Sequence, residues 1–203
     1  MIDSIHQKKV LAVEGKDEIN FFSALLKYME ITDFEVREVG GKKQFSNKLP
    51  ALVRMSGFSD IETLAIIQDA DVNAEAAFES IRNILKKESL KPPNQVYQFS
   101  NGTPKIGIFI MPGNSDAGML EDLCLNTVKD HSAMACTESF IDCVSKLEKP
   151  PKNIAKAKAQ AFLAAMPEIA NSVGVGAQKG YWDFNSEELT DLKSFIENSK
   201  QKQ

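Results

Sequence analysis

Apolar residues recur along this chain with two periods that take turns. A short run, Lys9-Val10-Leu11-Ala12-Val13, is too brief for a helix and stops at Glu14-Gly15, after which Ile19, Phe22, Leu25, Leu26 and Met29 follow at helical spacing. Phe34-Glu35-Val36-Arg37-Glu38-Val39 alternates, ends at Gly40-Gly41, and gives way to a mixed segment around Phe45, Leu49, Leu52, Val53 and Met55. A third run, Thr63 to Gln68, leads into an amphipathic stretch of Ala74, Ala77, Phe78, Ile81, Ile84 and Leu85, closed by Lys91-Pro92-Pro93. The rhythm of strand and helix thus repeats three times.

Val96-Tyr97-Gln98-Phe99 and Ile106 to Met111 predict two further strands, separated at hairpin-like distance by Asn101-Gly102-Thr103-Pro104, so one of them is open to an antiparallel placement. Beyond Pro112-Gly113 the pattern turns helical, over 119–128, 132–147 and 154–166, with Pro150-Pro151 and Pro167 as breaks. Alternating strands and helices imply a mainly parallel sheet with right-handed crossovers. The expectation is one α/β domain, Rossmann-like, over 1–203: a core of about 8–125 and a helical C-terminal part of about 126–200.

Composition narrows the class. The 203 residues are 43% hydrophobic and 26% charged, ordinary for a soluble domain, and no stretch approaches the roughly 18 apolar residues of a membrane span. The first nine residues lack a signal-peptide apolar region, so a cytoplasmic protein is expected. Cys124, Cys136 and Cys143 show no close C-x-x-C spacing and are expected to be reduced core residues, while His6 and His131 stand apart and offer no base to a nucleophile. A formal charge of −4 argues against coating nucleic acid through bulk potential. Local basic tracks remain: Lys146, Lys149, Lys152, Lys156 and Lys158 form one, Lys42, Lys43, Lys48 and Arg54 another, and either can meet phosphates or simply solvate helix faces.

The acids carry the most information. Glu14 ends the first run, and Asp69 and Asp71 end the third. In the common 2-1-3 strand order those two ends are neighbours, on the edge where open α/β sheets bind ligands. Asp69 and Asp71 lie two apart, so in extended backbone both side chains point the same way. Three carboxylates gathered there need a cation, and Mg²⁺, which favours oxygen ligands, water and substrate phosphate, suits them, with Mn²⁺ as a substitute. Helix capping explains the aspartates equally, and Asp17 and Glu18 read as first-turn acids that favour a helix dipole. Lys16 stands where it can reach a phosphate.

Glu-Gly after the first strand and Asp-x-Asp after the third resemble the two signature motifs of the Toprim domain, shared by topoisomerases, bacterial primases, recombination-repair proteins and OLD-family nucleases. Ile110-Met111-Pro112-Gly113 with Gly118 to Leu123 is similar to a small stand-alone Toprim-like bacterial group. The likeness covers about residues 8–125 and implies a Toprim fold, with Glu14 as general acid/base or metal ligand and Asp69 and Asp71 as Mg²⁺ ligands. It suggests Glu121 as a further acid, which as a helix-start carboxylate has a structural reading too, and a lysine beyond the core, Lys156 or Lys158. It implies Mg²⁺-dependent phosphodiester hydrolysis of DNA or RNA, with water as nucleophile, because no tyrosine nucleophile or zinc module is evident. Lys16, Lys42 and Lys158 are the candidate phosphate contacts.

Other readings fit less well. Receivers pair two acids after the first strand, and haloacid-dehalogenase-like phosphatases put D-x-D there, whereas here it follows the third. Gly174 to Gly180 is glycine-rich but matches no phosphate-loop fingerprint, and Tyr181, Trp182 and Phe184 beside it either pack the turn or stack on bases. The alternative from another class is a regulatory module that binds metal or nucleotide without cutting. A protein partner or a homodimer is compatible with either.

Overall fold

The computed structural model describes residues 4–113 and 117–199, without the side chains of Lys42 and Lys43. Four strands, β1 (Lys9–Val13), β2 (Phe34–Glu38), β3 (Thr63–Asp69) and β4 (Lys105–Met111), form one parallel sheet in the order β2-β1-β3-β4. Their near-continuous apolar runs follow from burial on both faces. Leu11, Val13, Ala65, Ile67 and Phe109 point into one core, and Val10, Ala12, Leu64, Ile66 and Ile108 into the other.

Helix α1 (Lys16–Tyr28) links β1 to β2, and α2 (Lys42–Val53) carries the chain back past β1 to β3, before α3 (Ala74–Lys87) joins β3 to β4. Right-handed crossovers running in opposite directions place α1 on one face and α2 and α3 on the other. The direction reverses at β1, so the crevice between β1 and β3 is the switch point of the sheet, where ligands of open α/β folds bind. The remaining helices are α4 (Leu120–Thr127), α5 (Met134–Val144), α6 (Ile154–Ala164), α7 (Val173–Gln178) and α8 (Thr190–Asn198). Residues of α4, α6, α7 and α8 share the core of α1: Phe162 stacks on Trp182 at 5.3 Å and Phe195 on Phe99 at 4.9 Å. The C-terminal helices therefore complete one layer of the α/β/α arrangement.

Several expectations change. Residues 96–99 are no strand: Tyr97 takes a left-handed backbone (φ 64°), which an extended ladder cannot absorb, and the segment keeps only an antiparallel bridge from Phe99 to Gly107 on the outer side of β4. Gly107 is required there, since a Cβ would strike the Phe99 ring at 2.5 Å. The glycine-rich 174–180 stretch is mostly helix α7, capped by Ser172, and a Cβ on Gly174 would lie 2.5 Å from the Asp17 carbonyl oxygen of α1. Its glycines serve helix packing, and the Trp182 indole donates to the Val173 carbonyl at 2.8 Å, so Trp182 packs the turn. Cys124 is buried as expected, but Cys136 and Cys143 are exposed on α5. Among the described residues no helix is long and apolar enough to cross a membrane.

Candidate functional site

The C-terminal ends of β1 and β3 bring Glu14 and Asp69 together. The Asp69 N–H points toward β1, where the strand has already ended, and donates to Glu14 Oε1 at 3.1 Å, so a carboxylate takes the place of the next backbone acceptor. Glu14 Oε2 faces Gly41, the residue capping α2, where a Cβ would lie 3.0 Å away. Glycine at 41 thus leaves room for the acid. Asp69 projects toward the α1 side of the sheet, and its Oδ1 accepts from the Leu120 N–H at the start of α4, at 3.1 Å.

Two helix starts add more acids. Gly15 caps α1, and the Glu18 carboxylate reaches back to its N–H, which holds Glu18 close to Glu14. Glu121 occupies the first turn of α4, where Asp122 Oδ2 fixes the start by accepting from the Met119 N–H at 2.9 Å. The electrostatic result is mutual. Burial, then the charges of Glu14, Glu18, Glu121 and Asp71, push the Asp69 carboxyl up to about 9. Burial pushes Glu14 to about 7, with Glu18 and Asp71 adding to it and hydrogen bonds from the Asp69 N–H and the Gln68 side chain opposing. Burial also raises Glu18 and Glu121. Cys124, buried in α4 beside them, has its thiol driven well up by desolvation and then by the same charges. The Gln68 Oε1 is buried beside Glu14 with no hydrogen-bond partner among the described residues.

Asp71 departs from the extended geometry. Its backbone is left-handed (φ 53°) and exchanges both hydrogen bonds with Gly118 at 3.0 Å, so the two-residue repeat that would align it with Asp69 is broken. It is exposed, yet near enough for its charge to act on Glu14 and Asp69. The bridge ties the end of β3 to the start of α4.

The bases divide. Lys156, in the first turn of α6, stands 3.8 Å from Glu121 Oε1 and is largely exposed. That α6 start rests on the site through Asn153 Nδ2 and Met119 Sδ, 3.4 Å apart. Lys158 turns the other way and pairs with Glu138 of α5, so it is not at the acids. Lys16 is exposed at the first residue of α1, and the side chain of Lys42 lies outside the described residues. Lys43 of the second basic cluster likewise has its side chain outside the described residues, and the cluster's Lys48 and Arg54 are spent on local pairs, with Glu38 at 2.6 Å and Glu88 at 2.9 Å. Sequence reasoning set Asp17 and Glu18 aside as dipole acids. The signal for Glu18 is its place three residues after the Gly15 cap, the capping-box position, which turns its carboxylate back toward the end of β1.

As a donor set, these carboxylates fit Mg²⁺: hard oxygens that raise one another's proton affinity. Among the described residues no three acids, histidines or cysteines close into a coordination cage. Mg²⁺ does not require one, since it usually takes one or two protein carboxylates and completes its shell with water and phosphate.

Among solved structures the chain is similar to the C-terminal region of the Burkholderia pseudomallei OLD protein, at 14% identity over 96% of this chain and 100% of that one, with a TM-score of 0.48. It is similar also to the C-terminal region of the Xanthomonas campestris pv. campestris OLD protein, at 15% identity over 96% and 97% of the two chains, with a TM-score of 0.49. No curated protein matches significantly. A sequence match over residues 8–201 identifies the chain as a member of the family described as "Protein of unknown function (DUF3226)".

Proposed function

We propose that this protein is a Toprim-like, Mg²⁺-dependent nuclease that hydrolyses phosphodiester bonds at the β1/β3 edge, through Glu14, Asp69, Asp71 and Glu121. One observation carries the reading: Glu14, Glu18, Asp69 and Glu121 crowd the switch point of a parallel sheet, where burial first and neighbouring carboxylates second raise their proton affinity, while the described residues set Lys156 against them. A site so charged favours a cation and the phosphate the cation brings.

Each residue has a separable part. Glu14, with a carboxyl titrating near 7, takes a proton from water or returns one to a leaving oxygen at neutral pH, and Oε2 is the oxygen left for that exchange. Asp69 is pinned by the Leu120 N–H and offers Oδ2 as a metal ligand. Asp71, on the exposed side of the same turn, is the second ligand. Glu121 orients Lys156, whose ammonium meets a phosphate oxygen, and Lys16 extends the phosphate track. Bound Mg²⁺ supplies charge neutralisation and lowers the pKa of a coordinated water.

Cleavage of labelled single-stranded DNA, duplex DNA and RNA with Mg²⁺ or Mn²⁺ tests this. Cutting by the wild type that Glu14→Gln and Asp69→Asn both abolish supports the proposal and names the substrate. A wild type that binds metal and cuts none of the three favours the regulatory module.

A further inference from the structure

We infer that the outer edge of β2 joins two copies of this chain by antiparallel pairing of β2 with its equivalent, about a two-fold axis through Val36. This goes beyond the nuclease reading and does not depend on it.

The sheet has two outer edges with different fates. Outside β4, residues 97–100 satisfy the strand, the Tyr97 N–H donating to Ile108 O at 2.9 Å and the Ser100 N–H to Ile106 O at 2.8 Å. Outside β2 no described strand lies. The Val39 N–H donates inward to Val13 O at 2.7 Å, so by strand alternation Arg37 and Glu35 also turn their backbone groups toward β1. Phe34, Val36 and Glu38 then present theirs outward, as an open row of donors and acceptors.

This row is self-complementary in one register. Centred on Val36, antiparallel pairing sets Val36 against Val36 and Phe34 against Glu38 as hydrogen-bonded pairs, all from outward-facing residues. Glu35 of each copy, already paired with its own Arg37, then faces Arg37 of the other in the close, non-hydrogen-bonded positions, so the two ion pairs meet with opposite charges apposed. Centring on Glu35 or Arg37 instead would set like charges directly opposite each other in the close, non-hydrogen-bonded positions. The surroundings suit a second copy. A trough of about 640 Å³ runs between β2 and α1 past Leu26, Ile31 and Phe34, and one of about 440 Å³ runs between β2 and α2 past Ala51, Leu52 and Met55. Val36 and Ile19 line both. A two-fold axis perpendicular to the sheet brings α1 beside α1 and α2 beside α2, which covers both troughs at once. The product is an eight-stranded sheet, four strands from each copy, with its two carboxylate sites opening on opposite edges.

Analytical ultracentrifugation of the full chain is expected to show a species of twice the 22.4 kDa monomer mass. Val36→Pro removes an outward N–H that has no partner among the described residues, so the monomer folds, but pairing is lost and the dissociation constant rises at least about tenfold. In a Cys136→Ser/Cys143→Ser background, Val36→Cys is expected to be joined into a covalent dimer by a short bis-maleimide, because hydrogen-bonded antiparallel partners stand about 5.5 Å apart at Cα, within its span. A wild type that stays monomeric at high micromolar concentration overturns the inference. So does a dimer that Val36→Pro leaves intact, or one in which Val36→Cys fails to cross-link.

Discussion

The β2 edge and the β1/β3 edge treat their carboxylates in opposite ways. Along β2 each acid has its base: Asp33 pairs with Lys9 at 2.6 Å, Glu38 with Lys48 at 2.6 Å, and Glu35 with Arg37. Burial pushes Glu35 up, but hydrogen bonds from the His6 and Gln7 N–H groups and from Arg37 outweigh it and leave the carboxyl below its ordinary value. At the ends of β1 and β3 the acids face each other instead, and Asp69 climbs to about 9. Pairing at one edge is the pattern of a structure satisfied by its own side chains. Crowding at the other is the pattern of perturbed groups at a functional site, which the proposed function fills with a cation.

The comparison breaks most severely in catalysis. Asp69→Asn and Glu14→Gln are each expected to lower metal-dependent cleavage by about 10²-fold or more, measured as single-turnover rates on the preferred substrate. Gly41→Ala, which crowds Glu14 Oε2, should fall in the same direction by less.

Next comes the pH dependence of stability. Glu14 and Asp69 have folded-state values above their unfolded ones, so the folded chain holds more protons between about pH 4 and 9. Their stabilisation is therefore full below about pH 4 and is lost as pH rises through 7 and then 9. Without metal, the melting temperature is expected to fall from pH 6 to pH 9, and saturating Mg²⁺ to flatten that slope. Asp69→Asn should remove much of it and gain about 1–3 kcal/mol at pH 8, read by urea denaturation. Arg37→Ala, at the paired edge, should act the other way, destabilising by about 1 kcal/mol at neutral pH with a cost that shrinks as acid protonates Glu35, because the partner it loses acts only on the charged carboxylate.

The smallest effects separate neighbours. Asp71→Asn should weaken Mg²⁺ binding with little loss of fold, because asparagine is the non-glycine residue most at ease in the left-handed backbone found there. Lys156→Ala should raise KM for nucleic acid several-fold, whereas Lys158→Ala, which only frees Glu138, should leave it unchanged.

Much of this was written in periodicity. Short apolar runs closed by glycine or acid located β1, β2 and β3, and their order with intervening helices placed Glu14 and Asp69 on neighbouring strand ends. What periodicity could not give was backbone handedness. Tyr97 and Asp71 sit in sequences that read as extended, but tertiary contacts turn each left-handed, which removes a fifth strand in one case and redirects a carboxylate in the other. Nor could it orient helices about their axes: Lys156 and Lys158 lie about 200° apart on α6, and packing alone decides that Lys156 meets Glu121. Gly174 and Gly176 make their stretch glycine-rich without a phosphate-loop fingerprint, because close helix packing selects the same residue for a different reason.

Calorimetric titration of the wild type with Mg²⁺ at pH 8, in two buffers of different ionisation enthalpy, tests the central claim most directly. The metal must displace the proton that Asp69 retains at that pH. Saturable binding with release of about one proton per ion is expected, and loss of that release in Asp69→Asn. Absence of binding, or binding without proton release and indifferent to Asp69, would contradict it.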